Sequence, residues 1–285
     1  MPMKKSRILG CIICTGITLV FIRICGLSSY QLYQFINDEN NYLTTQSSDK
    51  YESITLCVLV RVYSRYISYL PVIALALRQA GIPNIHIYVI NIDKHVDTDL
   101  LSRTIDIINR ISHRPGYIRL FSIGTPGDND FGFPQTDLAL TYLYNQHEHS
   151  PSVCQYVILT NGDNFYSQDL GNNILPHMVA KKDIIAWDFV SRYKRPDRIV
   201  EDQERKNFPL IIDAGTAKCL QVALKIGSID LGAAAYRLAF LKQHNLQLHY
   251  PNGAYDELSD GYFAETAGNL TNASVILRQT LYVHQ

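Results

Sequence analysis

The chain has 285 residues, with 26 basic and 26 acidic side chains in balance. A chain of this length forms one large domain or two small ones and can bury roughly three quarters of its unfolded surface. The charge balance excludes the basic footprint of a nucleic-acid binder, so no nucleic acid is expected as a partner.

The first residues form a separate object. Lys4, Lys5 and Arg7 precede an apolar run from Ile8 to Ile22, which Arg23 interrupts and Ile24 to Leu27 extend. A basic flank before such a run places the N-terminus in the cytoplasm. Residues 8–27 read as a signal-anchor transmembrane helix after a cytoplasmic tail at 1–7; a cleaved signal peptide and a buried N-terminal helix are the other readings. Residues 28–52 are polar and irregular and read as a stem. The globular body covers 53–285. Cys11, Cys14 and Cys25 lie in the apolar segment, leaving Cys57, Cys154 and Cys219 without CxxC or zinc spacing. Cys57 and Cys154 sit beside core strands and read as buried thiols. Two sequons, Asn269-Leu270-Thr271 and Asn272-Ala273-Ser274, favour a secretory address.

The body opens on a near-continuous apolar strand, Ile54 to Val62, followed by a turn holding Tyr63 to Tyr66. Leu70 to Ala80 has helical spacing, with Pro71 in its first turn and Gly81 as its stop. Asn84 to Asp93 is a second strand. Strand, helix and strand with short connections make a βαβ unit and hence a parallel sheet. No GxGxxG follows the first strand, so a dinucleotide fingerprint is missing. Leu100 to Ile111 is helical, Ile118 to Ile123 is a third strand, and Gly124 to Pro134 is a loop. A helix over Thr136 to Asn145 and a loop over Gln146 to Ser152 precede the next strand.

That strand is Tyr156-Val157-Ile158-Leu159-Thr160, which stops at Asn161-Gly162-Asp163-Asn164. The polar cluster therefore sits at a strand's carboxyl end, where open α/β sheets bind ligands. A carboxylate there can hold Mg2+ or Mn2+ against a diphosphate, because both ions favour oxygen ligands. An ordinary Asn-Gly turn with a solvated Asp is the plainer reading. Asp169 to Val179 turns into a helix, and Asp183 to Val190 is a strand carrying Trp187 and Asp188. The mixed charges from Arg192 to Lys206 read as a solvated face. Ile229 to Arg237 leads from a turn into a helix of small residues that runs through Leu241. Asp260 lies at a helix start, where an N-cap is the plainer role. The chain closes on a strand, Leu281 to Gln285, that contains His284.

Together these features resemble the GT-A nucleotide-sugar glycosyltransferases, with the resemblance spanning about residues 54 to 285. It implies an α/β fold with a mainly parallel, twisted sheet flanked by helices. It also implies transfer of a sugar from a nucleotide-sugar donor to a glycan, lipid or protein acceptor, with inversion at the anomeric carbon. In such a protein Asp93 meets the base and Arg61 lies in the donor site. Asn161-Gly162-Asp163 stands where the family has Asp-x-Asp, and Asp163 and His284 hold the divalent cation. Asp230-Leu231-Gly232 matches the acceptor-side turn through Gly232. Asp260 is the catalytic base, Trp187 and Asp188 are a sugar platform, and Glu265 is a second acceptor contact; a core position for Trp187 and a helix-face charge for Glu265 are the plainer readings. The implied address is a single-pass type II protein of the Golgi or endoplasmic reticulum.

The sequence departs from the family at Asn161 and Ser259, where acids are usual. Those two positions favour the alternative of a catalytically silent, membrane-anchored binding module. A nucleotidyltransferase is the third reading, but it usually has a glycine-rich phosphate loop after the first strand. Val60-Arg61-Val62-Tyr63-Ser64-Arg65 contains no glycine.

Overall fold

The computed structural model describes residues 51, 53–111, 116–121, 131–150, 154–191 and 218–284. They belong to one compact unit, Asp49–Gln285. Strand β1 (Thr55–Val62) is buried at every position, as a continuous apolar run requires when helices cover both faces of a sheet. A 3-10 turn (Ser64–Tyr69) leads into α1 (Leu70–Gln79), whose first turn takes Pro71. Gly81, at φ +74°, ends that helix. Strand β2 (Asn84–Asn91) follows, then α2 (Thr98–Ile111) and β3 (Gly116–Phe121). Asp97 caps α2 by accepting from the Leu100 amide at 2.8 Å.

The remaining elements are α3 (Phe133–His149), β4 (Tyr156–Asn161), β5 (Phe165–Tyr166), α4 (Leu170–Val179), β6 (Ile184–Ser191) and β7 (Lys218–Leu220). A short 3-10 turn (Leu231–Ala233) precedes β8 (Ala234–Arg237) and α5 (Leu238–Gln243). Helix α6 (Ser259–Asn269) and strand β9 (Ser274–His284) close the body. The sheet runs β3-β2-β1-β4-β8-β6-β9-β5, with β7 on β6. Pairing is parallel from β3 through β4 and again between β6 and β9. It is antiparallel at β8, β5 and β7. The fold is therefore mixed α/β, and its parallel half is the βαβ unit expected from sequence.

Four expectations change. The alanine stretch is not a helix start: Ala234–Arg237 is a central strand between β4 and β6. Alanine favours helix intrinsically, but here burial between two strands decides the conformation. Helix α3 starts at Phe133 and runs to His149, so part of the expected loops on either side is helical. Gly132 permits the start by taking φ +73°, and Pro134 fits the first turn. Asp260 lies in the first turn of α6, whereas the N-cap position is Leu258. Cys57 and Cys154 are not free thiols but are bonded to one another, with Cα atoms 5.7 Å apart. Parallel pairing of β1 and β4, with Cys57 opposite Val157, brings the two cysteines together.

The expected tail, anchor and stem, and the charged stretch at 192–206, lie outside the described residues. Among the described residues, no helix is long and apolar enough to cross a membrane.

One glycine contact sets how closely α4 approaches α1. The Gly171 amide donates to the Ala80 carbonyl at 2.7 Å. A Cβ on Gly171 would lie 2.1 Å from that oxygen and 2.9 Å from the Gly81 carbonyl carbon. Gly171→Ala is therefore expected to lower stability by about 1–3 kcal/mol. Urea unfolding checks this, and an unchanged midpoint would show that the helices can separate freely.

Candidate functional site

The site is built at the carboxyl ends of β1 and β4. Arg61 and Asn161 are register partners at that edge. The pairing continues one residue further: the Gly162 amide donates to the Arg61 carbonyl at 2.8 Å. A side chain at Gly162 would press on Val62 and on that carbonyl, at 3.2 and 3.3 Å. The chain then turns, with the Asn164 amide donating to the Asn161 carbonyl. Asn164 is fully buried, and its Nδ2 donates to Thr160 Oγ1 at 3.0 Å. Asp163 is buried within this turn.

Strand β5 ties the turn to the C-terminal strand. Phe165 pairs with Val283 and Tyr166 with Tyr282. The ladder between β6 and β9 shifts register around Asp188, after which Tyr282 pairs with Phe189 and His284 with Ser191. Such an irregularity bends a strand and re-aims its side chains. Period two puts Tyr282 and His284 on one face of β9, and their rings stack at 6.3 Å. The topology thus brings His284 to the edge that carries Asp163.

Asp230 binds the third side of this edge. It is buried, and its Oδ1 accepts from the Gly232 amide at 2.9 Å and from the Tyr282 hydroxyl at 2.7 Å. His284 Nε2 lies 3.6 Å from Oδ2. Burial pushes the Asp230 carboxyl up, but His284, the two hydrogen bonds and the Arg61 charge together hold it below the ordinary carboxylate range. Gly232 is fitted to this arrangement, since a Cβ there would meet the Tyr282 ring at 2.5 Å. The Tyr166 hydroxyl donates to the Gly232 carbonyl at 3.1 Å. Arg61 is buried too: its guanidinium lies 5.0 Å over the Phe133 ring and donates to the Phe131 carbonyl at 3.2 Å.

The other sequence-predicted residues lie away from this cluster or on its flank. Asp93, two residues beyond β2, accepts from the Ser64 amide at 3.0 Å and the His95 amide at 2.8 Å. Burial slightly opposes its charge, but hydrogen bonds from Ser64 and His95 hold its carboxyl below the usual range. Trp187 is fully buried, with its ring edge-on to Tyr166. The expected sugar platform is thus a core residue, because β6 is covered on both faces. Asp188 is buried and holds the Val222 amide and Arg278, each at 2.9 Å. Glu265 accepts from the Ile226 amide at 2.8 Å. Both carboxylates therefore anchor the 222–226 segment. Asp260 is half-buried and accepts from the Gly261 amide at 2.7 Å. Tyr166, Tyr282 and the Asp230 side chain were missed by the sequence reading. The alternation of Tyr282 with His284 was the signal that could have found one of them.

For a divalent cation, Asp163 and His284 offer one oxygen and one nitrogen donor at a shared edge. The carboxylate suits Mg2+ or Mn2+ if a diphosphate supplies further oxygens; an imidazole is the less usual donor for either ion. Among the described residues, no three His, Cys, Asp or Glu side chains form an all-protein cage.

No known family matches the chain, and no curated protein sequence matches it. Solved structures do match it. The mannosyltransferase PcManGT from Pyrobaculum calidifontis, in complex with GDP-Man and Mn2+, is 11% identical with a TM-score of 0.49. That match covers 81% of this chain and 56% of the mannosyltransferase. The 4-diphosphocytidyl-2C-methyl-D-erythritol synthase from Anaerococcus prevotii is 12% identical with a TM-score of 0.44. It covers 81% of this chain and 90% of the synthase.

The Asp230 carboxyl yields a pH prediction. Because its folded value is depressed, its ionised form stabilises the fold above the ordinary Asp value of about 3.9. That contribution is lost as pH falls through the depressed folded value. Asp230→Asn is therefore expected to flatten the acid limb of stability below about pH 4. It should also lower stability at neutral pH by up to about 3–5 kcal/mol, the range for breaking a buried charge pair. Unfolding measured across pH checks both effects; an unaltered acid limb would remove Asp230 as a contributor.

Proposed function

We propose that this chain transfers a sugar from a nucleotide-sugar donor to an acceptor hydroxyl. The observation that carries the reading is the meeting of Asp163, the Asp230–Gly232 turn and His284 at the carboxyl edge of a parallel βαβ sheet. A nucleotide diphosphate presents negative oxygens, and this edge offers it Arg61 and a cation-holding pair. Asp93, beside the turn that follows β1, would accept from the base or ribose. Asn161, opposite Arg61, offers an amide in place of the usual first acid.

The chemistry follows from these groups. Asp260 takes the proton from the acceptor hydroxyl. That oxygen bonds to the anomeric carbon, and the bond from this carbon to the diphosphate breaks. Displacement from the opposite face inverts the carbon. Asp163 and His284 would hold a Mg2+ or Mn2+, whose chemistry is to offset charge on the departing diphosphate. The Arg61 guanidinium adds a fixed positive charge. Gly232 and Glu265 lie on the acceptor side, next to the 222–232 segment. Asn269 and Asn272 are exposed, and a Cys57–Cys154 bond suits an oxidising compartment. Both support the secretory part of the expected address.

One observation favours the silent binding module. Ser259, where the family has an acid, is fully buried and accepts from the Asp256 amide at 3.0 Å. It serves the helix start and leaves Asp260 as the acid in the first turn of α6.

Two measurements test the proposal. Calorimetric titration with a panel of nucleoside diphosphates, with and without Mn2+, is expected to find one nucleotide that binds in a metal-dependent way. Asp163→Ala should weaken that binding by at least about tenfold; a normal metal response in this variant would remove Asp163 from the site. Donor-hydrolysis and transfer assays then test the base. Asp260→Asn should lower kcat by roughly 10²–10⁴-fold with donor affinity retained. A protein that binds a nucleotide but never turns over its sugar conjugate would be the silent module.

A further inference from the structure

Tyr236 lies on β8, between β4 and β6, and is fully buried. Its hydroxyl makes no hydrogen bond among the described residues. A buried hydroxyl without a partner costs free energy that phenylalanine at the same position would not. The ring does have clear packing: its edge meets Phe263 of α6 at 5.1 Å and 74°. Phe263 and Asp260 are three residues apart on that helix, so they share a face. Tyr236 therefore packs on the face of α6 that carries Asp260. Burial pushes its hydroxyl well above the usual tyrosine range, and the carboxylates of Asp260 and Asp230 add to the shift. A hydroxyl in that state keeps its proton and acts only as a donor toward a carboxylate.

We propose that Tyr236 is a positioning residue for Asp260: its hydroxyl donates a hydrogen bond to that carboxylate and holds it for the acceptor. Asp260 also accepts from its neighbouring Gly261 amide. The helix itself is held in place. A Cβ on Gly261 would lie 2.8 Å from Ile226 Cα, and Glu265 bonds the Ile226 amide. Tyr250, from the preceding loop, also feels the Asp260 carboxylate. Tyr250 donates to Asp256 at 2.8 Å and its ring packs at 4.6 Å on Tyr262 of α6. Its hydroxyl is committed, whereas that of Tyr236 is not. The kinetic consequence rests on Asp260 being the base; the contact itself does not.

The experiment uses the full chain and Tyr236→Phe. Carboxyl-13C NMR of Asp-labelled protein follows Asp260, assigned by the signal lost in Asp260→Asn. In Tyr236→Phe the Asp260 signal is expected to titrate at higher pH than in the parent, because a donor to the charged form is gone. Thermal melting should be unchanged. In the transfer assay kcat should fall about tenfold with donor KM unchanged. The same Asp260 titration in both proteins would overturn the inference, as would a clear fall in melting temperature, which would reveal a structural bond. An altered titration in a protein whose turnover does not need Asp260 would leave the contact standing and remove the base assignment.

Discussion

A buried carboxylate is unfavourable unless donors surround it, and Asp230 meets that demand with the Gly232 amide, the Tyr282 hydroxyl and the His284 imidazole. Those three groups come from different parts of the chain. The amide belongs to the turn before β8, and the two rings belong to the last strand. Satisfying one charge therefore joins the central antiparallel strand to the C-terminal one. Gly232 is part of the same constraint, because the Tyr282 ring occupies the space of its missing side chain. An apolar residue in place of Asp230 would remove the carboxylate that lies 3.6 Å from His284 Nε2.

The sheet supplies the frame for that contact. Its parallel half places the ends of β1, β2 and β4 along one edge, with Arg61, Asp93 and Asp163 there in turn. Strand β8 enters antiparallel beside β4, so its first residues lie at the same edge where β4 ends. Small side chains at Ala233, Ala234 and Ala235, all fully buried, let this strand fit between two others. The irregular pairing of β6 with β9 then turns the last strand toward the edge. Two acids, Asp163 and Asp230, lie at this edge with Arg61 and His284. An incoming diphosphate adds negative charge beside the two carboxylates, which is why a cation belongs in the proposed chemistry.

The proposed acceptor side has a different support. Asp188 and Glu265 were expected to touch sugar, but they grip the 222–226 segment through its backbone amides. That segment in turn packs on Gly261, one residue from Asp260. Charged residues thus hold the mount of the proposed base, while the Tyr236 hydroxyl is left for Asp260.

Much of the frame was determined locally. The continuous apolar run of β1, Pro71 and Gly81 around α1, and the abrupt polar end of β4 each follow from short-range rules of burial and backbone freedom. They made the βαβ unit, the parallel half-sheet and the Asn161–Asn164 edge legible in the sequence. The tertiary structure decided the rest. It made Ala234–Arg237 a strand, because two neighbouring strands offered hydrogen bonds and burial that outweigh alanine's helix preference. It moved Trp187 into the core, because β6 is covered on both faces. It joined Cys57 to Cys154 and set Asp230 against Tyr282 and His284. Those partners lie about 50 to 100 residues apart in the chain, and no local pattern encodes which distant side chain will satisfy a buried charge.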